Sequence, residues 1–373
     1  MIYLDYSANT PVDEAVLQRF CEVERNCPGN ANSRHAAGTA AKAAIDKATQ
    51  SIARSLNVQP AEIIYTSGAS EANNFALKSI ARLERHHGRH IISTPLEHSS
   101  VSGSLTALQE QGYEIDLVDI KQDGTVDLDH LKELLRPDTI LVAVTAVDSE
   151  LGVVQPVAEI AELLKTYPHC HFHVDATQAV GKLPVCFDGI DTMSLTAHKF
   201  YGLNGIGVLV KRRCLALEPL IHGGESTTIY RSGTPTVALA CALALALDKA
   251  VTELPARVEH IRSLNACLRA ELAKYPKVRI NSPESAVPQI LNLSVQNVKG
   301  TVFQRELDAK GVCVSVKSAC SSDGLPSRAV FAVSHDRRNA LSSWRISLSH
   351  LTTEDEITGF LQAFDACYNA LTQ

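Results

Sequence analysis

The sequence predicts an α/β protein in which a mostly parallel, seven-stranded sheet is flanked by helices and followed by a smaller α+β domain. Seven short runs rich in β-forming residues alternate with helical stretches between residues 62 and 212. Such alternation is typical of a parallel sheet with helices on both faces. A chain of 373 residues is also longer than one hydrophobic core usually serves. We therefore expect two domains.

The elements of the large domain follow one another in a regular order. The predicted strands are "EIIYTS", "HIISTP", "EIDLVDI", "TILVAVTAV", "HFHVDA", "TMSLTAH" and "IGVLVKR". Helices between them are predicted from "EANNFALKSIARLERHH", "LDHLKELL" and "VAEIAELLKTY", in which apolar residues recur at three and four positions. In such folds, ligands bind beyond the carboxyl ends of the strands.

The pattern changes after Asp248. The long helical stretch "VEHIRSLNACLRAELAKY" is followed by the shorter strands "QILNLSV" and "WRISLS". We therefore place a boundary near residue 250. Residues 14–250 would form the large domain, and residues 1–13 and 251–373 would form the small one.

Composition argues against several classes of function. A net charge of −6, a pI of about 6.2 and the lack of a Lys/Arg cluster argue against nucleic-acid binding. The longest apolar run, Val237 to Leu247, is shorter than the ~20 residues of a membrane helix, and the N-terminus lacks the pattern of a signal peptide. Ten cysteines without a C-x-x-C motif indicate reduced thiols in a cytoplasmic protein.

Polar side chains occur where several predicted strands end. Lys199 follows a strand in "SLTAHKFYG", and a desolvated lysine can form a Schiff base with an aldehyde. Asp175 ends the strand in "FHVDATQAVGK", where a buried carboxylate needs a cation or hydrogen-bond donors. Ser70 begins a helix in "YTSGASEANN" whose N–H groups could hold a phosphate, and His98 follows another strand. Each feature alone has an ordinary structural explanation, but together they match the needs of a pyridoxal phosphate (PLP) enzyme.

Two histidine-rich motifs have weaker claims to function. "HCHFH" places His169, His171 and His173 on one face of a strand. Residues two apart on a strand are separated by ~6.6 Å, which suits two ligands on one ion rather than three. The motif "HHGRH" at residues 86–90 is typical of a solvated loop. We therefore expect no metal site.

The motifs from "YLDYSANTPVD" to "SSWRISLSHLTTEDEI" run in the same order as those of a known family. The chain resembles the cysteine desulfurases of the class V aminotransferase family, which have PLP fold type I. The resemblance implies that Lys199 holds the cofactor covalently, that His98 lies over its ring and transfers protons, and that Cys320 receives sulfur. It implies cofactor contacts by Ser70, Ser149, Asp175, Gln178, Thr196 and His198, by Thr234 of a partner subunit, and substrate-carboxylate contacts by Asn30 and Arg345.

The implied activity converts L-cysteine to L-alanine and leaves a persulfide on Cys320, which is passed to an iron–sulfur scaffold or a thiolation enzyme. Cys320 lies in "SVKSACSSDG", within a loop of about residues 314–335. A homodimer is implied as well. Ser149 departs from the pattern, because relatives typically carry a longer asparagine there. Selenocysteine lyase, another class V lyase or transaminase, and an inactive binding subunit stay open as alternatives.

Overall fold

The computed structural model describes residues 1–317 and 325–373. Its strands are β1 (Ile2–Tyr3), β2 (Ile63–Thr66), β3 (His90–Ser93), β4 (Glu114–Leu117), β5 (Thr139–Thr145), β6 (His171–Asp175), β7 (Thr192–Thr196), β8 (Gly207–Lys211), β9 (Val278–Ile280), β10 (Ile290–Val295), β11 (Val312–Cys313) and β12 (Ser343–Ser347). Its α-helices are α1 (Glu14–Asn26), α2 (Ala36–Ser55), α3 (Ala69–Glu84), α4 (Ser99–Gln109), α5 (Leu128–Leu134), α6 (Val157–Leu164), α7 (Val237–Thr252), α8 (Leu254–Leu272), α9 (Gly300–Asp308), α10 (Arg328–Ser334), α11 (Arg337–Ser342) and α12 (Glu354–Thr372).

The seven strands predicted from the sequence form one sheet in the order β2-β8-β7-β6-β5-β3-β4. Strand β8 runs antiparallel to β2 and β7, and the other neighbouring pairs are parallel. The predicted α/β class with a mostly parallel sheet is therefore confirmed. Every residue of β5, β7 and β8 is buried, as expected for strands that are covered on both faces.

Helix α7 contains the apolar run that the sequence predicts to be a buried helix. It packs against α1 and α2, and most of its residues are buried. The many alanines let neighbouring helices approach it closely. None of the helices in the described part of the chain combines the length and apolar composition that a membrane span requires.

A second hydrophobic cluster lies under a three-stranded antiparallel sheet of order β12-β10-β9. It contains Trp344, Phe360 and Phe364, and Leu4 from the N-terminal segment joins it. Next to Leu4, β1 pairs in parallel with β11. The larger hydrophobic cluster, which lies around the seven-stranded sheet, contains residues from Val16 to Ala250. Within the described chain, only two of its buried residues, Val287 and Ile290, come after Ala250. The division near residue 250 stays a prediction.

Candidate active site

A cavity of about 350 Å³ lies beyond the carboxyl ends of β5, β6 and β7. Of the residues predicted for the site, those that line it are Ser70, His98, Ser149, Asp175, Gln178, Thr196, His198, Lys199 and Arg345. The groove of about 500 Å³ between α3, α4 and the segment around Pro219 is larger, but no predicted site residue lines it. The chemistry-bearing residues therefore converge on the smaller cavity.

Lys199 reaches this cavity because a short 3₁₀ turn, Ala197–Lys199, follows β7 directly. Its Nζ donates hydrogen bonds to the carbonyl oxygens of Ser7 and Ala8, both at 2.7 Å. The Gln178 amide also donates to the Ser7 carbonyl, at 2.9 Å. The N-terminal segment therefore forms one wall of the cavity and contacts the predicted Schiff-base lysine.

Asp175 ends β6 and is buried with its carboxylate held by three donors. Its Oδ1 accepts from the Thr177 backbone N–H at 2.9 Å and from the Ser194 hydroxyl at 3.2 Å. Its Oδ2 accepts from the Asn73 amide at 2.8 Å. These bonds offset the cost of burying a charge. The site thus presents a fixed negative charge to one side of the cavity.

His98 caps helix α4 and is linked to the same network. Its Nδ1 accepts a hydrogen bond from the Ser100 backbone N–H at 3.1 Å and lies 2.8 Å from the Ser100 hydroxyl. That hydroxyl accepts from the Asn73 amide at 2.9 Å. Burial is the main cause that lowers the pKa of His98 below its usual value. The imidazole is therefore neutral near neutral pH, with its proton on Nε2.

The first turn of α3 lines the cavity and could hold a phosphate group. Ser70 lies in the first turn of α3, where backbone N–H groups lack partners within the helix. A Cβ on Gly207 would lie 2.7 Å from the Gly68 Cα, so the glycine lets β8 lie directly against the turn before α3. Burial lowers the pKa of His198 to about 4, with a contribution from Lys199. His198 is therefore a neutral hydrogen-bonding group here.

Arg345 enters the cavity from β12 and is 1% exposed. Its Nη2 donates to Asp5 Oδ1 at 2.9 Å and its Nη1 donates to the Ser149 carbonyl at 2.6 Å. Within the described chain, its Nε has no hydrogen-bond partner. The guanidinium group of Arg345 therefore has an N–H group at the cavity wall that is available to a ligand.

Two predicted residues, Asn30 and Thr234, do not line the cavity, and a third, Cys320, cannot be assigned a place. Asn30 is exposed, and its side chain accepts from the Asn32 backbone N–H at 2.9 Å. Thr234 lines a separate small pocket. Cys320 lies outside the described residues. The roles of all three stay predictions.

The sequence analysis missed three buried polar residues near the cavity. Asn73 connects Asp175, Ser100 and His173, and its position in the buried apolar face of α3 is the signal that could have revealed it. Lys182 has a buried Nζ without a partner in the described chain, and burial lowers its pKa to about 7. Glu97 is buried beside the cavity, and burial raises its pKa to about 8.

Comparison with known proteins identifies the family of the chain. The class V aminotransferase family model matches residues 2–360. "Cysteine desulfurase IscS" of Dictyoglomus turgidum is 36% identical over 98% of this chain and 93% of that protein. "Cysteine desulfurase IscS" of Proteus mirabilis is 40% identical over 95% and 90% of the two chains.

A solved structure of a "NifS-like protein" superposes with a TM-score of 0.94 at 34% identity, over 99% of this chain and 100% of the other. The superposition confirms the predicted fold class. Proteins of this family generally depend on PLP. The chain belongs to the class V aminotransferase family.

Proposed function

We propose that this chain is a PLP-dependent cysteine desulfurase that converts L-cysteine to L-alanine and transfers the sulfur through Cys320. The observation that carries the proposal is the convergence of Lys199, Asp175 and His98 on one cavity of about 350 Å³. An amine, a fixed carboxylate and a neutral imidazole are the groups that this chemistry requires. The named relatives support cysteine as the substrate.

The residues that line the cavity fit PLP. Ser7 Oγ, Thr177 Oγ1 and Gln178 Oε1 are buried polar atoms without partners in the described chain, and such atoms usually have a bonding partner in the complete protein. Lys199 would hold the cofactor covalently, and Asp175 would pair with its ring nitrogen. The residues that would contact its ring oxygen and phosphate are Gln178, Ser149, Ser70, Thr196 and His198, with Thr234 of a partner subunit. When bound, the cofactor supplies an electron sink for negative charge at the substrate Cα.

The chain's own residues perform the remaining tasks. Arg345 binds the substrate carboxylate with its guanidinium group, whose planar fork matches that group. Lys199 Nζ takes the proton from Cα, and His98 assists through its Nε2 proton. Asn73 and Ser100 hold the imidazole in the required tautomer through Nδ1. The buried position of Asp175 keeps its charge from being screened by water.

Cys320 receives the sulfur. Its thiolate attacks the substrate Sγ, a new S–S bond forms and the Cβ–Sγ bond breaks. The bonding electron pair stays on carbon, which takes a proton, so that alanine leaves and the persulfide stays on Cys320. An acceptor protein then removes the terminal sulfur.

We further infer a homodimer that acts in the cytoplasm. Ile229 is 64% exposed, and Leu220 and Ile221 are also exposed in the segment that leads to Thr234. Apolar side chains exposed together commonly mark an interface. The described cysteines are free thiols, as in proteins of reducing compartments.

The decisive test measures alanine and sulfide release from L-cysteine in the presence of a thiol reductant. Wild type should make both products, and Lys199→Ala and Cys320→Ala should make neither. Cys267→Ala is the matched control, because Cys267 is an exposed thiol on α8, and it should match wild type. Undiminished turnover by Cys320→Ala would contradict the proposed sulfur transfer. Turnover of selenocysteine but not cysteine would favour the lyase alternative.

A further inference from the structure

A cluster of four histidines and one carboxylate lies at the amino-terminal edge of the main sheet. Glu84 is the last residue of α3, His86 and His87 follow it, and His169 and His171 lie at the start of β6. We call these five residues the amino-edge cluster. The sequence places the two histidine motifs more than 80 residues apart. The fold brings them together because α3 ends and β6 begins at the same edge of the sheet.

Three side chains of this cluster are close enough to share one ion. Glu84, His86 and His87 each offer a ligand atom, and these atoms lie within 4.8 Å of one another. The rings of His86 and His87 have their centroids 3.8 Å apart and are tilted by 44°. Two imidazoles and one carboxylate are a ligand set that Zn²⁺ uses, with water at the remaining position.

The surroundings of these ligands orient them. His86 Nδ1 donates to the Leu83 carbonyl at 2.9 Å, which leaves Nε2 with a lone pair. His171 Nε2 lies 3.4 Å from Glu84 Oε1 and holds the carboxylate from the other side. The His169 ring stacks on the His87 ring with centroids 3.8 Å apart. Hydrogen bonds and contacts to ligand side chains are the arrangement that fixes ligand tautomers in metal sites.

The backbone below the cluster is tightly packed. A Cβ on Gly88 would lie 2.0 Å from the Asp138 carbonyl oxygen, so the glycine lets this turn lie directly against the segment before β5. The His87 and Gly88 N–H groups both donate to the Glu84 carbonyl, at 2.8 and 3.3 Å. The ligands therefore project from a turn whose path is fixed.

We propose that Glu84, His86 and His87 bind a divalent transition-metal ion of the Zn²⁺ class. The ion replaces the proton that His87 Nδ1 now shares with Glu84 Oε2 across 2.7 Å, and that proton is released to solvent. These two atoms need to move apart by less than about 1 Å for both to bind the ion, because ligand bonds to Zn²⁺ are about 2 Å long. His171 and His169 orient the carboxylate and the His87 ring.

The position of the site indicates a structural role. Asp175 lies at the other end of β6, about 13 Å along the strand from His171. The ion would connect the end of α3, which begins at the cavity, to the start of β6, which ends there. It would therefore stabilise the fold without contacting substrate.

The test is equilibrium dialysis of the holoenzyme against Zn²⁺ after treatment with a chelator. The variant is His86→Gln/His87→Gln, because glutamine keeps a donor for Glu84 and the Leu83 carbonyl. The control is His222→Gln, an exposed histidine outside the cluster. Zn²⁺ bound by cysteine thiols adds the same amount to the stoichiometry of wild type, the double variant and the control.

Wild type and the control should bind one Zn²⁺ per chain more than the double variant, and Mg²⁺ should not compete. Glu84→Gln should weaken this site at least tenfold, because it removes the anionic ligand. Zn²⁺ should also raise the melting temperature of wild type but not of the double variant. Equal stoichiometry and affinity in wild type and the double variant, with equal melting temperatures in chelator, would overturn the proposal.

Discussion

Asn73 offers the sharpest test of how the active-site network is held together. Its side chain donates to Asp175 and Ser100 and accepts from His173 Nε2 at 3.0 Å, and it is fully buried. Asn73→Ala removes all three hydrogen bonds. It leaves the Asp175 carboxylate with two of its three donors and leaves His173 Nε2 without this partner.

The expected loss of stability follows from the charge of the groups that Asn73 contacts. A buried hydrogen bond to a charged group contributes about 2 kcal/mol, and each neutral bond contributes about 1 kcal/mol. The three bonds share one side chain and are not independent, so we expect a loss of about 3 kcal/mol in the free energy of unfolding. For a domain of this size, about 2–4 °C of melting temperature corresponds to each kcal/mol. The melting temperature should therefore fall by about 6 °C or more.

The assay is differential scanning calorimetry on cofactor-stripped protein, because a bound ligand would add its own stabilisation. Asn74→Ala is the matched control. Asn74 is the next residue on α3, is half-buried and donates one hydrogen bond to the Ser70 carbonyl. It should cost less than about 1 kcal/mol. Equal effects of the two substitutions would refute the reasoning, because Asp175 would then not depend on Asn73.

Three further predictions concern neighbouring residues. Burial raises the pKa of Glu97 to about 8 from 4.5, so the folded state retains a proton that the unfolded chain has lost, and stability falls as the pH rises through this window. Glu97→Gln should reduce the fall in melting temperature between about pH 5 and pH 8. The same fall in wild type and variant would contradict a raised pKa of Glu97. Arg345→Lys should raise the KM for L-cysteine by about tenfold or more, because an ammonium group lacks the planar fork of a guanidinium group. The control in the same steady-state assay is Arg338→Lys, at an exposed position. An unaltered KM in Arg345→Lys would contradict the proposed binding of the substrate carboxylate by Arg345. Ser149→Asn should tighten PLP binding about fivefold, which corresponds to one added hydrogen bond of about 1 kcal/mol. Equilibrium dialysis measures this affinity. An unchanged affinity would mean that the side chain at position 149 does not reach the cofactor.

The fold was predictable because the central strands are buried on both faces. Strand β5 appears in the sequence as the unbroken apolar run "ILVAV" between two threonines, and every residue of β5 is buried. The edge strand was harder to delimit. The run "EIDLVDI" continues beyond β4, but pairing stops at Leu117, which is 51% exposed. An edge strand has one neighbour, so its apolar pattern says less about where pairing ends.

The strand-end residues of the site were predictable for a related reason. Asp175 and Thr196 end parallel strands, and parallel strands end at one edge. Lys182 was not predictable, because its burial depends on contacts that no local pattern records. The role predicted for Thr234 is a contact to the cofactor of a partner subunit. A single chain's sequence can suggest such a contact only by resemblance.

The N-terminal segment connects the two halves of the cavity. Asp5 accepts from Arg345, whereas the Ser7 carbonyl accepts from both Lys199 and Gln178. A substrate carboxylate that binds Arg345 would therefore act on the same short segment that holds Lys199. Because the carboxylate of Asp5 already partly neutralises the buried guanidinium group, the desolvation cost of Arg345 is offset before substrate arrives. A change at Asp5 should thus alter carboxylate binding and the position of Lys199 together.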